Sequence, residues 1–149
     1  MRGNIIDIKG PKVFAIPFRF FGIILIIVGF FYIKSHPVIG LLNSVAALIV
    51  LLSYEGVVID KKDKIIKRYT SILLLRFGKP EQYTVADHIF YVDTEKPEGK
   101  GIIKPKNRYV AYLHSSRENF LLLKDTELKT LLPNLEILGK FLNINVRKL

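Results

Sequence analysis

Side chains able to do chemistry are few in this chain, and they are scattered. Three histidines, His36, His88 and His114, stand far apart, and none has a second ligand or an acid at a recognisable spacing. Ser71, Ser115 and Ser116 lie outside any G-x-S-x-G elbow. Gly99-Lys100-Gly101 lacks the spacing of a phosphate-cradling loop. Asp87 and Asp93 flank one strand-like run, but a lone pair of carboxylates does not define a metal site. There is no cysteine, which excludes disulfides, thiolate nucleophiles and thiolate metal centres. These residues read as caps and solvated side chains. The expectation is a non-enzymatic protein with no catalytic residue, no metal site and no cofactor.

Positive charge is the stronger signal. The formal net charge is +10 at pH 7. From Val57 onward, eighteen Lys or Arg face eleven Asp or Glu, so the surplus extends well beyond the N-terminus. Lys96, Lys100, Lys104, Lys106 and Arg108 gather in and beside a stretch, Thr94 to Lys106, that reads as a long loop. A basic domain beside an anionic leaflet gains about 1 kcal/mol for each lysine held near the surface. These five residues, together with Arg19, are the candidate lipid-surface contacts. The same surplus also serves topology and solubility. Nucleic acid is not an expected partner, because the chain has no zinc motif, recognition helix or aromatic RNA platform.

The charges must be positioned by two apolar stretches. One runs from Val13 to Ile33, broken by Pro17 and Arg19; the other runs from Val38 to Tyr54, with Asn43 its strongly polar member. As helices they would reach roughly 31 Å and 25 Å. The expectation is a transmembrane helical hairpin over residues 13–55, the second span relying on slight extension or a thinned bilayer. A cleaved leader fits poorly, since no small-x-small site follows Phe31. Basic residues precede Phe20 and follow Tyr54, while the connecting turn offers only Lys34 and His36. Positive charge stays inside, so this reading is an integral protein of a bacterial inner membrane with both termini cytoplasmic. Arg19, near the cytoplasmic end, would snorkel to headgroups. Gly22 and Gly29 on one helix, and Gly40, Ser44 and Ala47 on the other, suit close packing.

Residues 1–12 then form a short cytoplasmic N-terminal segment, and residues 56–149 a cytoplasmic domain. Val57 to Asp60 and Ile65 to Tyr69 form a hairpin around Lys61-Lys62-Asp63-Lys64. Ser71 to Phe77, Val85 to Val92, Arg108 to His114 and Phe120 to Lys124 read as further strands. A helix follows to about Leu142, capped by Asp125 or Thr126, with Leu131, Leu135, Leu138 and Leu142 on its buried face. Pro133 is expected to split it. The class is α+β: an antiparallel sheet or partial barrel of six or seven strands, closed by a C-terminal helix.

That order resembles the bacterial pleckstrin-homology-like domains found behind paired transmembrane helices. The likeness rests on Gly56-Val57-Val58-Ile59-Asp60, Lys64 to Tyr69, Tyr109 to His114, Asn119 to Leu123 and Leu138 to Ile144. It covers roughly Gly56 to Val146 and is a pattern of element order, not a sharp motif. The resemblance implies no catalytic residues. It implies a binding role, since relatives of the fold take lipid headgroups, peptides or other subunits. Lys61-Lys62-Asp63-Lys64 falls short of a phosphate-binding signature in the first hairpin loop. The expected function is a membrane-anchored binding or scaffold module, as a subunit of a larger membrane assembly. The alternatives are a peripheral sensor of anionic lipid and a component of an oligomeric transporter or channel. The expected partners are membrane lipid and either a membrane protein or further copies of the chain.

Overall fold

In the computed structural model, which describes residues 3–98, 107–116 and 118–149, a β-strand precedes the helical hairpin. Strand β1 (Ile5–Lys12) leads into helices α1 (Ile16–Tyr32) and α2 (Pro37–Leu52), and β2 (Tyr54–Asp60) returns antiparallel beside β1. The segment read from sequence as lying outside the folded domain is therefore part of its first sheet. The alternation in Ile6, Ile8 and Val57, Ile59 explains the pairing, because these side chains share one face and Ile8, Val57 and Ile59 are buried.

Strands β3 (Ile65–Ile72), β4 (Leu75–Phe77) and β5 (Pro80–Gln82) complete a five-stranded sheet in which β4 and β5 both pair with β3. The second sheet has the order β8-β7-β6-β9, built from β6 (His88–Glu98), β7 (Asn107–Ser115), β8 (Glu118–Asp125) and β9 (Asn145–Lys148). Its β9 lies parallel to β6, so the sheets are not wholly antiparallel. Strand β6 also runs on through residues expected to be loop.

Helix α3 (Leu128–Leu142) buries Leu131, Leu135, Leu138 and Leu142 in the core, the face that its periodicity marks. It passes through Pro133 without splitting. Beside the missing amide, Asn134 Nδ2 donates to the Thr130 carbonyl at 3.3 Å. No side chain caps its start. Asp125 Oδ1 instead accepts from the amides of Thr126 and Glu127, closing the turn before it. Asn143 ends it in the left-handed conformation, where Ile144 N donates to Gly139 O at 2.9 Å.

Two expectations fall here. The helices α1 and α2 have 17 and 16 residues. At 1.5 Å per residue they measure about 25 Å and 24 Å against a hydrocarbon core of about 30 Å. Among the described residues no helix is long and apolar enough to cross a membrane. This overturns the transmembrane hairpin and, with it, the integral inner-membrane location. The shortening has a local cause. Val13 and Phe14 form a bend after β1, with the Val13 amide donating to Ser53 O at 3.3 Å, and Pro17 sits in the first turn of α1. The second correction concerns the barrel, which does not close. Between β3 and β8 lies a cavity of about 290 Å³ whose lining includes Arg68, Lys79, Glu81 and Lys124.

Candidate lipid-contact surface

The hairpin helices meet along a seam of small residues. Gly22, Gly29, Gly40 and Ala47 are buried there. A Cβ on Gly40 would stand 2.8 Å from Gly29 O, so the two backbones touch. Ser44 Oγ donates to Gly40 O at 2.9 Å. This seam was legible in the small-residue spacing.

Outside the seam the two helices are largely apolar and exposed. Phe30 and Phe31 are each 74% exposed and Leu42 is 64% exposed, with Phe20, Ile24, Ile27, Val38 and Leu41 also outward. No charged residue occurs from Phe20 to Ile33 or from Pro37 to Tyr54. A helix with one apolar stripe packs on one neighbour, whereas one that is apolar almost all round needs an apolar medium on its other sides. Burying each such side chain is worth roughly 1.5–3 kcal/mol.

A second apolar element stands near the hairpin's root. Strand β3 passes Tyr54 at Ser71, pairs Ile72 with Leu75 and turns through Leu73 and Leu74. Both turn residues have positive φ, 48° and 72°. Two-residue hairpins favour Asn-Gly at such positions, because leucine is strained there. Leu74 is 82% exposed, and Leu75 and Phe77 are exposed beside it. Sequence reasoning missed this turn, since Ser71 to Phe77 carries no turn residue and reads as one strand.

Cations and a polar clamp fix the root. Lys12 Nζ donates to Leu51 O at 3.2 Å, satisfying a carbonyl at the end of α2. Arg19 lies in α1 beside Ile16, Phe20, Ile23 and Leu51, where its Nε is buried without a hydrogen-bond partner. On the outer face of the first sheet, Tyr69 Oη donates to Asp7 Oδ1 at 2.6 Å, and Arg76 pairs with Asp7 Oδ2 at 2.8 Å. Burial first, and Asp7 second, push the Tyr69 hydroxyl well above its ordinary range. Tyr69 lies flat across Gly56, where a Cβ would come within 2.5 Å of its ring.

The other candidate contacts fare differently. Arg108 is held by a bidentate pair with Asp93, Nε to Oδ1 at 2.8 Å and Nη2 to Oδ2 at 2.9 Å. That bonding holds the Asp93 carboxyl below its usual range. Lys96 falls within β6, but its side chain, like Lys100, Lys104 and Lys106, lies outside the described residues. The structure also unites His88 and His114, which the sequence leaves 26 positions apart. Only the β6–β7 register reveals that pairing. Among the described residues no group of three or more His, Asp or Glu converges as a metal site.

No family model, curated protein or solved structure matches this chain. The resemblance to bacterial pleckstrin-homology-like membrane proteins is thereby overturned. It lacks a family match, its paired helices are too short to span, and its two sheets leave the barrel open.

Proposed function

We propose that the protein is a non-enzymatic binding module that docks on an anionic lipid surface. The observation that carries this reading is the exposed apolar surface of the hairpin, repeated at the Leu73–Leu74 turn near its root. The acyl boundary of a single lipid leaflet can receive such an apolar surface, as it receives the apolar face of interfacial helices. Lys9, whose ammonium lies 5.4 Å from the Tyr54 ring centroid, together with Lys12 and Arg19 would meet headgroup phosphates at the root, and the overall charge of +10 favours approach to an anionic layer.

Flotation of the full chain with phosphatidylcholine vesicles, with and without phosphatidylglycerol, tests the reading. The chain should float with both and bind the anionic vesicles more tightly at low salt, because the Debye length shortens from ~10 Å at 0.1 M to ~3 Å at 1 M. Phe30→Asp combined with Leu42→Asp should release it. A discrete oligomer that stays off both kinds of vesicle would show instead that copies of the chain cover the hairpin.

A further inference from the structure

The second sheet carries a row of four polar residues across its full width. Asn145 on β9 pairs with His88 on β6, His88 with His114 on β7, and His114 with Asn119 on β8. In-register neighbours share a face. The opposite face at the next position is Ile89, Leu113 and Phe120, all buried, so the row is on the outside. The two imidazole centroids are 4.9 Å apart with planes inclined at 37°.

We propose that His88 and His114 form a two-imidazole site for a divalent late transition metal ion such as Zn²⁺, Ni²⁺ or Cu²⁺, with water in the remaining positions. Spacing is the first argument. With metal–nitrogen bonds of about 2.0–2.1 Å, two imidazoles sharing one tetrahedral ion have ring centres about 5 Å apart. Orientation is the second. Asn119 Oδ1 lies 2.7 Å from His114 Nδ1. An amide oxygen only accepts, so Nδ1 holds the proton and Nε2 keeps its lone pair for a metal. This is the outer-shell arrangement that metal-bound histidines use.

The surroundings hold the rings still. His88 packs against Phe90 at 5.9 Å, and Phe90 stacks on Tyr112 at 5.3 Å. Burial first, then Arg147 and His114, lower the His88 pKa from its ordinary value. Arg147 opposes a cation here, and Asp87 partly offsets it. Imidazole suits these ions, and affinity should rise toward Cu²⁺. Two protein ligands predict a modest site rather than a structural one, which takes four.

Calorimetric titration of the full chain with Zn²⁺, and separately with Ni²⁺, provides the test. One equivalent should bind. His88→Gln and His114→Gln should each weaken binding at least tenfold, while His36→Gln, in the hairpin turn, leaves it unchanged. Asn119→Leu should weaken it about 10-fold or more by freeing the His114 tautomer. In the unsubstituted chain, a trace of Cu²⁺ should broaden the ring proton resonances of His88 and His114 and spare those of His36. That readout needs no variant to fold. Binding that survives both glutamine substitutions would mark an adventitious ion only and overturn the proposal. So would the absence of saturable binding, or copper broadening confined to His36.

Discussion

Replacing Leu73-Leu74 with Asn-Gly separates the fold from the surface it presents. Each leucine occupies the left-handed region, which costs an L-residue about 1–2 kcal/mol. Relief at both positions would return about 2–4 kcal/mol. Asparagine keeps some of that strain, and glycine gives back about 0.5–1 kcal/mol through the freedom it adds to the unfolded chain. The net expectation for Leu73→Asn with Leu74→Gly is a gain of about 1–2 kcal/mol, with the Ile72–Leu75 pairing retained. Urea unfolding in mild detergent reads the gain as a higher midpoint at unchanged slope. Vesicle flotation of the same variant should fall, because Leu74 no longer projects. A midpoint that drops would refute the strain argument. Unchanged flotation would refute the turn's part in lipid contact. The paired outcome, more stable yet weaker binding, is one that general damage to the fold does not produce.

Three further outcomes follow from packing and charge. Leu138→Ala, at a fully buried site beneath α3, should cost about 2–5 kcal/mol by leaving a cavity, read from the urea midpoint. Gly40→Ala would set a Cβ 2.8 Å from Gly29 O and from Ile33 Cα, so the hairpin helices must part; the cost should be about 1–3 kcal/mol in thermal unfolding. The raised Tyr69 hydroxyl stabilises the fold fully below its ordinary pKa of 10.0, and this contribution is lost as pH rises toward the folded-state value. Tyr69→Phe should therefore make the loss of stability between about pH 8 and about pH 11 shallower, as measured by urea midpoints.

The legible parts of the fold are those in which one local pattern fixes the outcome. The leucine spacing of α3 is such a pattern, since four leucines at helical steps can face the core only together. So is the Gly29–Gly40 seam, where small residues permit what no other residue would. Register and context decided the rest. The Ile6–Ile8 alternation in Ile5–Lys12 is too short to announce a strand until Val57 and Ile59 offer a ladder for it. Helix length was overestimated because apolar character runs back from Pro17 through Val13 to Ala15, the bend that follows β1, and hydropathy does not mark where a helix begins. The His88–His114 pair was hidden for the same reason, as it exists only through a β6–β7 register set by residues elsewhere in those strands.

The position of the hairpin, inserted between two adjacent strands, makes its removal informative. Lys12 pairs with Tyr54, and the Val13 amide reaches Ser53 O. The two ends of the insertion therefore meet at the spacing of an ordinary antiparallel pair, which a two-residue turn can join. The main core cluster draws on Ile8, Val57, Ile59, Ile66, Ile89, Leu113 and the α3 leucines, and includes nothing from residues 14–52. Replacing residues 14–52 with Asn-Gly should thus leave a folded two-sheet body, and closing a shorter loop costs less entropy. Far-UV circular dichroism should retain the strand signal and lose helix, and a cooperative urea transition should remain. The shortened chain should also lose most of its flotation with anionic vesicles, keeping only the salt-sensitive share contributed by surface cations. An unfolded product would show that the hairpin root contributes to the core. Undiminished flotation would place lipid contact on the basic body instead of the hairpin.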